Sequence, residues 1–205
     1  MSDIEYLWNG PEGGPLLVLA PGSGASMRSP WMEDVASALG EAGIRVARFD
    51  FPYMREERRR PPDREPILRK TWLEVIAELQ PRAIGGKSMG GRIASMLADE
   101  ARIGALICFG YPFHPPGKPE KLRTAHLGDL QTPTLIFQGR RDPFGTEAEV
   151  AGYGLSDAIR MVWMDGDHSL EPRRRDAVSW EDNRAQLVAE VCRLLEAGEQ
   201  SRVGL

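Results

Sequence analysis

A serine between two glycines, in the segment AIGGKSMGGRIASMLAD (residues 83–99), fits two kinds of chemistry. Gly86, Lys87 and Ser88 match the end of the phosphate-binding pattern G-x-x-x-x-G-K-[ST]. Residues 86–90 also match G-x-S-x-G, the sharp strand-to-helix turn that presents a serine nucleophile. The first pattern is typical of nucleotide-binding proteins, and the second is typical of hydrolases.

The phosphate-binding interpretation lacks a glycine that its pattern requires. Pro81 stands five residues before Gly86, where a flexible turn is needed so that backbone N–H groups can wrap a phosphate. The other glycine-rich stretch, LAPGSGASM (residues 19–27), has Met27 in place of the third glycine of G-x-G-x-x-G. We therefore favour the hydrolase pattern, and calorimetry with nucleotides tests the alternative.

Asp142 and His168, both later in the chain than Ser88, complete the chemistry that a serine nucleophile needs. A serine hydroxyl attacks well only when a histidine takes its proton and a carboxylate holds that histidine in the right tautomer. Asp142 follows the apolar run PTLIFQG (133–139), and His168 follows IRMVWMDG (159–166). The order Ser, Asp, His is that of doubly wound hydrolases. The sequence therefore predicts a triad with Ser88 as nucleophile, His168 as base and Asp142 as its acid partner.

Other acids and histidines fit these roles less well. His114 precedes the predicted acid and breaks the order, although its place after a strand could bring it to the pocket. His126 lies in a polar connection, which favours a surface position. Asp165 and Asp167 come directly before His168, so we expect them to shape its turn.

Two backbone N–H groups are predicted to stabilise the oxyanion that forms during acyl transfer. One belongs to Met89, directly after the nucleophile, and the other to Ser23, on a loop where Gly22 and Gly24 permit close approach. The predicted lining of the substrate pocket, each member of which could equally belong to the core or to loop packing, is Met27, Trp31, Met54, Phe113, His114 and Phe144.

The elements that must position these residues alternate between strands and helices. Short apolar runs rich in Val, Ile, Leu and Phe predict strands, and amphipathic stretches between them predict helices. Strands buried on both faces and separated by helices indicate an α/β fold with a doubly wound, mostly parallel sheet. The predicted strands are 15–21, 44–52, 82–87, 105–112, 133–139 and 159–166, with an edge strand at 4–9; the predicted helices are 30–42, 67–80, 89–101, 146–153 and 177–197.

Two segments interrupt this alternation. Residues 53–66 are charged and proline-rich, so we expect a solvated loop or the start of a helix. Residues 111–130 form a second proline-rich stretch, after a strand and at the edge of the sheet where such folds bind ligands. Residues 198–205 are expected to form a loose tail.

Composition limits the function classes. With 205 residues, 41% apolar and 27% charged, the chain is expected to be one globular domain over residues 1–205. Its net charge of −4 gives no sign of a nucleic-acid surface. The two cysteines, Cys108 and Cys192, are expected to be buried free thiols, with no metal site. We see no signal peptide or membrane-spanning stretch, and expect a cytoplasmic protein.

Three segments carry a resemblance to a known family: GGKSMGGRIA (85–94), GYPFHPPGKPEKLRT (110–124) and QGRRDPFGT (138–146). With them the chain resembles the α/β-hydrolase superfamily, and looks most like its small capless members of the dienelactone-hydrolase and carboxylesterase kind. It is similar to short bacterial proteins related to a testis-expressed hydrolase and a chromatin-complex subunit of eukaryotes. One departure is Pro21-Gly22, where related proteins often have His-Gly.

The resemblance implies a minimal α/β-hydrolase fold without a cap domain and the same triad. It implies a serine hydrolase that acts on a small ester, thioester or related acyl substrate, with no metal or organic cofactor. The eukaryotic relatives imply a second hypothesis, in which the fold serves as a non-catalytic binding or scaffold protein. The oligomeric state stays open.

Overall fold

The protein is built on one seven-stranded sheet. A computed structural model describes residues 4–55 and 60–203, without the side chains of 198–203. The strand order is β1-β3-β2-β4-β5-β6-β7, and every neighbouring pair is parallel except β1 with β3. This confirms the predicted mostly parallel sheet with an added edge strand. The strands are β1 (Tyr6–Asn9), β2 (Leu16–Ala20), β3 (Arg45–Phe49), β4 (Ala83–Lys87), β5 (Ala105–Phe109), β6 (Thr134–Gly139) and β7 (Ile159–Met164).

Helices cover both faces of the sheet. They are α1 (Pro30–Glu41), α2 (Glu65–Leu79), α3 (Met89–Ser95), the short α4 (Glu147–Val150) and α5 (Trp180–Val203). One apolar core contains buried side chains of α1 and α5, and the other contains those of α2 and α3. Because both faces are covered, every residue of β5 and β6 is buried, which explains why Thr134 and Gln138 are the only polar side chains in these two strands.

The predicted helix ends differ from the observed ones for local reasons. We expected α3 to reach residue 101, but it ends at Ser95, where the N–H groups of Met96 and Leu97 turn to acceptors three residues back. Helix α2 begins at Glu65, before the predicted start at 67, because Pro66 fits a first turn that needs no N–H donor. Helix α5 continues past residue 197 to Val203, and residues 204–205 lie outside the described part.

The connections between these elements range from single turns to the long segment between β5 and β6. Pro52–Met54 forms one 3₁₀ turn, and the segment 111–130 contains turns but neither helix nor strand. Residues 56–59 of the charged segment lie outside the described part. Among the helices that the structure describes, none has both the length and the apolar composition needed to cross a bilayer.

Candidate active site

Ser88 lies on a strained turn between β4 and α3. Its φ of 49° and ψ of −114° are values that residues with a side chain rarely adopt. The turn is closed by the Ser88 N–H, which donates to the Phe109 carbonyl at 2.9 Å. A Cβ at Gly86 or at Gly90 would come within 2.2 or 2.3 Å of the Ala20 carbonyl oxygen. Glycine is therefore required at both positions, as the G-x-S-x-G pattern indicates.

The structure brings Ser88, Asp142 and His168 together in one chain of hydrogen bonds. His168 Nδ1 lies 2.8 Å from Asp142 Oδ2, and His168 Nε2 lies 2.9 Å from Ser88 Oγ. Because an ionised carboxylate only accepts, Nδ1 carries the proton and Nε2 is free to accept from the hydroxyl. Asp142 is fully buried, whereas the His168 side chain is 24% exposed. This arrangement can move the serine proton to the imidazole.

Asp142 is held by groups that the sequence pattern did not reveal. Gln138, fully buried at the end of β6, donates from Nε2 to Asp142 Oδ2 at 2.8 Å. The Phe144 N–H donates to Oδ1 at 2.9 Å. The Gln138 side chain also accepts from the Tyr111 N–H at 2.8 Å, so it connects the acid loop to the loop after β5. A polar residue in a buried apolar strand is the one sequence signal that could have indicated this role.

Two side chains fix His168. The Phe144 ring stacks on the imidazole, with ring centroids 4.2 Å apart. The Lys87 amine donates to the His168 carbonyl and lies 5.4 Å from the centroid of the Trp31 ring. Burial lowers the pKa of Lys87 to about 8, although the charge of Asp142 opposes this shift. Lys87, which suggested a phosphate loop in the sequence, here contacts the predicted base.

The predicted oxyanion donors, Met89 and Ser23, lie at the same end of the sheet. Met89 is the first residue of α3, where a backbone N–H has no acceptor within the helix. Ser23 lines the same cavity as Ser88, and its carbonyl accepts from the Tyr53 hydroxyl at 3.1 Å. A Cβ on Gly22 would lie 3.4 Å from the Ser88 Cβ, so this loop passes close to the nucleophile.

Met27 anchors this loop instead of lining the pocket as predicted. Its N–H donates to Asp50 Oδ1 at 2.7 Å, and its carbonyl accepts from Arg48 Nη1 at 2.8 Å. Its side chain is 2% exposed. Burial raises the pKa of Asp50, while the Met27 N–H opposes that shift.

A cavity of about 800 Å³ opens beside Ser88 and His168. Of the predicted lining residues, Trp31 and Phe144 contribute to its wall. Met54 lines a neighbouring cavity of about 430 Å³, which shares Ser23 with the first. The larger cavity is therefore the one that a substrate of Ser88 would enter.

The predictions for Phe113 and His114 are wrong because both side chains point into the interior. The Phe113 ring is fully buried between Tyr111 and Tyr153, with ring centroids 4.8 and 5.6 Å away. His114 is 2% exposed; its Nδ1 lies 2.9 Å from the Pro115 carbonyl.

His126 is half-buried, so its predicted surface position is also wrong. Its Nε2 lies 2.8 Å from Ser95 Oγ and 3.4 Å from the Tyr111 hydroxyl. Burial lowers the pKa of His126, and the charge of Arg92 lowers it further. Cys108 is a buried free thiol, as predicted, whereas Cys192 is only partly buried. In the described part of the chain, no group of three His, Cys, Asp or Glu side chains could hold a metal ion.

Comparison with known proteins identifies the family of the chain. Residues 14–196 match the sequence profile of the alpha/beta hydrolase domain. The chain belongs to this family. Curated proteins give no match.

Solved structures share the α/β-hydrolase fold. An alpha-beta serine hydrolase homologue from Coxiella burnetii is 18% identical, with 95% of this chain and 91% of that chain covered and a TM-score of 0.66. A serine hydrolase without a lid from Xanthomonas campestris is 21% identical, with 97% and 88% covered and a TM-score of 0.62. A monoacylglycerol lipase from Paleococcus ferrophilus is 14% identical, with 95% and 99% covered and a TM-score of 0.70. At these identities the likeness establishes the fold, which has no apparent cap domain.

Proposed function

We propose that this α/β-hydrolase is a serine hydrolase that cleaves a small ester, thioester or related acyl compound through an acyl-enzyme. The observation that carries the proposal is the chain of hydrogen bonds from Asp142 through His168 to Ser88, at the wall of an accessible cavity. A buried carboxylate, an oriented imidazole and a hydroxyl within 3 Å of it are what nucleophilic acyl transfer requires.

Each residue has a defined part in the proposed reaction. Ser88 Oγ attacks the carbonyl carbon while His168 Nε2 takes the hydroxyl proton, and Asp142 stabilises the imidazolium. The N–H groups of Met89 and Ser23 hold the oxyanion. When the tetrahedral intermediate collapses, the bond to the leaving group breaks and His168 protonates that group. Water, deprotonated by His168, then attacks the acyl-enzyme and restores Ser88.

The proposed substrate is small because, in the part of the chain that the structure describes, no inserted domain covers the cavity. The cavity walls come from loops and from the starts of α1 and α3. We therefore propose that residues 1–205 form a single minimal domain. We also propose that this domain belongs to the capless, dienelactone-hydrolase-like branch, because the segments 110–124 and 138–146 resemble that branch. In a series of p-nitrophenyl esters, we expect short acyl chains to give the highest kcat/KM. A preference for long chains would contradict a small acyl substrate.

The triad is tested by covalent labelling. Wild-type protein and Ser88→Ala are treated with a fluorophosphonate, and intact mass is measured. We expect one adduct on the wild type and none on the variant, because the probe needs a serine activated by its base. Ser37→Ala removes a serine hydroxyl on α1, away from the cavity, and is the matched control, which should still be labelled. No adduct on folded wild-type protein would refute the proposal and favour the scaffold function.

A further inference from the structure

Two arginines form part of the cavity that contains Ser88, and the proposed reaction uses neither. Arg92 and Arg123 both line this cavity. Acyl transfer at Ser88 needs a neutral oxyanion hole and a base, but no guanidinium group. Their presence beside the nucleophile therefore requires a separate explanation.

Arg92 lies one helical turn after the nucleophile. Its N–H donates to the Ser88 carbonyl at 3.0 Å, so the two residues lie on the same side of α3. Its side chain is 19% exposed, and its Nη1 lies 3.4 Å from a carboxylate oxygen of Glu65, which is itself 40% exposed. The Arg92–Glu65 ion pair is long and its carboxylate is partly exposed to solvent, so Glu65 compensates the charge of Arg92 only in part.

Arg123 reaches the cavity from the proline-rich segment after β5. Its N–H donates to the Phe113 carbonyl at 2.7 Å, and its own carbonyl accepts from the Tyr111 hydroxyl at 3.1 Å. No ion pair joins its guanidinium to a carboxylate of the described residues. Both guanidinium groups belong to the wall of one cavity, and burial and the charge of Arg92 both lower the pKa of Arg123.

The buried network around His126 joins the backbones of the two arginines. The Ser95 hydroxyl donates to the Arg92 carbonyl at 2.7 Å, and the Tyr111 hydroxyl donates to the Arg123 carbonyl. His126 Nε2 lies within hydrogen-bond distance of both hydroxyl oxygens. Because each hydroxyl hydrogen is already used, Nε2–H is the donor. The network thus fixes the backbone positions from which both arginines reach the cavity, and two like charges in one cavity favour an anion there.

The described wall of the cavity carries more cationic than acidic side chains. Glu171 also lines the cavity, and its charge raises the pKa of Lys87 against the effect of burial. Among the described residues that line the cavity, Glu171 is the only carboxylate, against the cationic side chains of Lys87, Arg92 and Arg123.

We propose, on the basis of the proposed serine hydrolase function, that the substrate carries an anionic group, a carboxylate or a phosphate, which Arg92 and Arg123 bind while its acyl carbon lies at Ser88. Guanidinium groups bind both anions through paired N–H donors. The substrate class is thus an acidic ester or thioester, in which the anion lies in the acyl part or in the leaving group.

Matched esters that differ only in charge test this proposal. The first pair is the p-nitrophenyl monoester of adipic acid and the same compound with its free carboxylate capped as a methyl ester, which puts the charge in the acyl part. The second pair is 4-acetoxybenzoate and its methyl ester, which puts the charge in the leaving group. We expect kcat/KM for the charged member of one pair to exceed that of its neutral partner by about tenfold or more.

The variants Arg92→Gln and Arg123→Gln show whether the arginines cause the preference. Each should lower the ratio of kcat/KM between charged and neutral ester about tenfold. Arg92→Lys keeps the charge without the planar fork and should retain part of the ratio. Arg193→Gln makes the same change of net charge at an exposed position on α5 and should leave the ratio unchanged. Thermal melting checks that each variant folds.

Competition with fluorophosphonate labelling of Ser88 distinguishes a carboxylate from a phosphate. If the natural group is a phosphate, phenyl phosphate should slow the labelling more than benzoate does, and if it is a carboxylate, benzoate should slow it more. A wild-type protein that is labelled but shows no charge preference in either pair would overturn this proposal alone. A preference that survives both glutamine variants would overturn it too. A folded wild type that is not labelled would overturn the hydrolase function and this inference together.

Discussion

Replacing Ser88 by glycine should make the protein more stable than replacing it by alanine. Ser88 has a φ of 49° and a ψ of −114°, a conformation that glycine adopts freely because it has no Cβ. Both substitutions remove the hydroxyl and its hydrogen bond to His168. They differ only in whether the Cβ remains, so their comparison isolates the strain at the nucleophile.

The expected difference follows from opposing terms. A residue with a side chain in a sparsely populated conformation costs about 1–3 kcal/mol. Glycine costs about 0.5–1 kcal/mol in lost conformational freedom, and the missing methyl group forgoes about 0.8 kcal/mol of apolar burial at most. The balance favours Ser88→Gly over Ser88→Ala by about 1 kcal/mol. For a chain of this size, that corresponds to about 2–4 °C in Tm.

Ser37 provides a matched control. It lies inside α1 at an ordinary helical position, half-buried like Ser88. There, Ser37→Gly should be less stable than Ser37→Ala by about 1 kcal/mol, the usual helix cost of glycine. The order of glycine and alanine should therefore reverse between the two sites, with a total difference of about 2 kcal/mol in the free energy of unfolding.

The assay is urea unfolding of the four variants, followed by fluorophosphonate labelling, which both Ser88 variants should fail. If glycine is less stable than alanine at Ser88 by the same margin as at Ser37, then the turn is not strained and the elbow argument is refuted. Equal m-values across the four variants are needed, because a change in m would indicate an altered denatured state.

Further substitutions test the acid, the lysine and the glycine contact. Asp142→Asn should lower kcat about 10⁴-fold with little effect on melting, since the amide favours the wrong tautomer of His168; a loss below tenfold would contradict the assigned acid. Because burial lowers the pKa of Lys87 to about 8, against about 10.4 in the unfolded chain, the unfolded state binds the extra proton between these values. Urea titrations should therefore show a pH-dependent difference in the free energy of unfolding between the wild type and Lys87→Met. From pH 8 to 10 the wild type should gain on the order of 1 kcal/mol per pH unit relative to the variant, and below pH 8 the difference should be constant. A difference independent of pH would refute the burial of the amine. Gly90→Ala should lower the free energy of unfolding by about 1–3 kcal/mol, because the new Cβ would lie 2.3 Å from the Ala20 carbonyl; an unchanged Tm would show that α3 moves freely.

The elbow and the triad order could be predicted from sequence because both depend on backbone constraints. Gly86 and Gly90, two residues before and after Ser88, form a local pattern that predicts the turn, because a larger residue at either position would collide with the Ala20 carbonyl. The positions of Asp142 and His168 follow from topology, because parallel strands bring their carboxyl ends to one edge. Strand ends can therefore bring together residues far apart in the chain, and in the structure His168 lies within hydrogen-bond distance of both Asp142 and Ser88.

Pocket lining could not be predicted in the same way, because orientation within an irregular loop has no period. Phe113 and His114 are adjacent in a loop, and both point inward, where a strand would have pointed them to opposite faces. The end of α3 was also missed, since its apolar sequence continues to residue 98 while its hydrogen bonds change after Ser95. Side-chain contacts at the site, such as that between Gln138 and Asp142, depend on pairing between distant loops.

The proposed arginine site illustrates why a sequence can indicate the reaction without indicating the substrate. Acyl transfer requires a fixed set of atoms at fixed spacing, so its residues carry a pattern that strand ends enforce. Substrate binding requires only that charges converge in the cavity. Arg92 is brought there by its helix and Arg123 by a proline-rich loop, and the Ser95–Tyr111–His126 network that joins them has no sequence pattern. We therefore infer that substrate recognition depends on contacts that only the folded chain creates, and the charged and neutral ester pairs measure their effect directly.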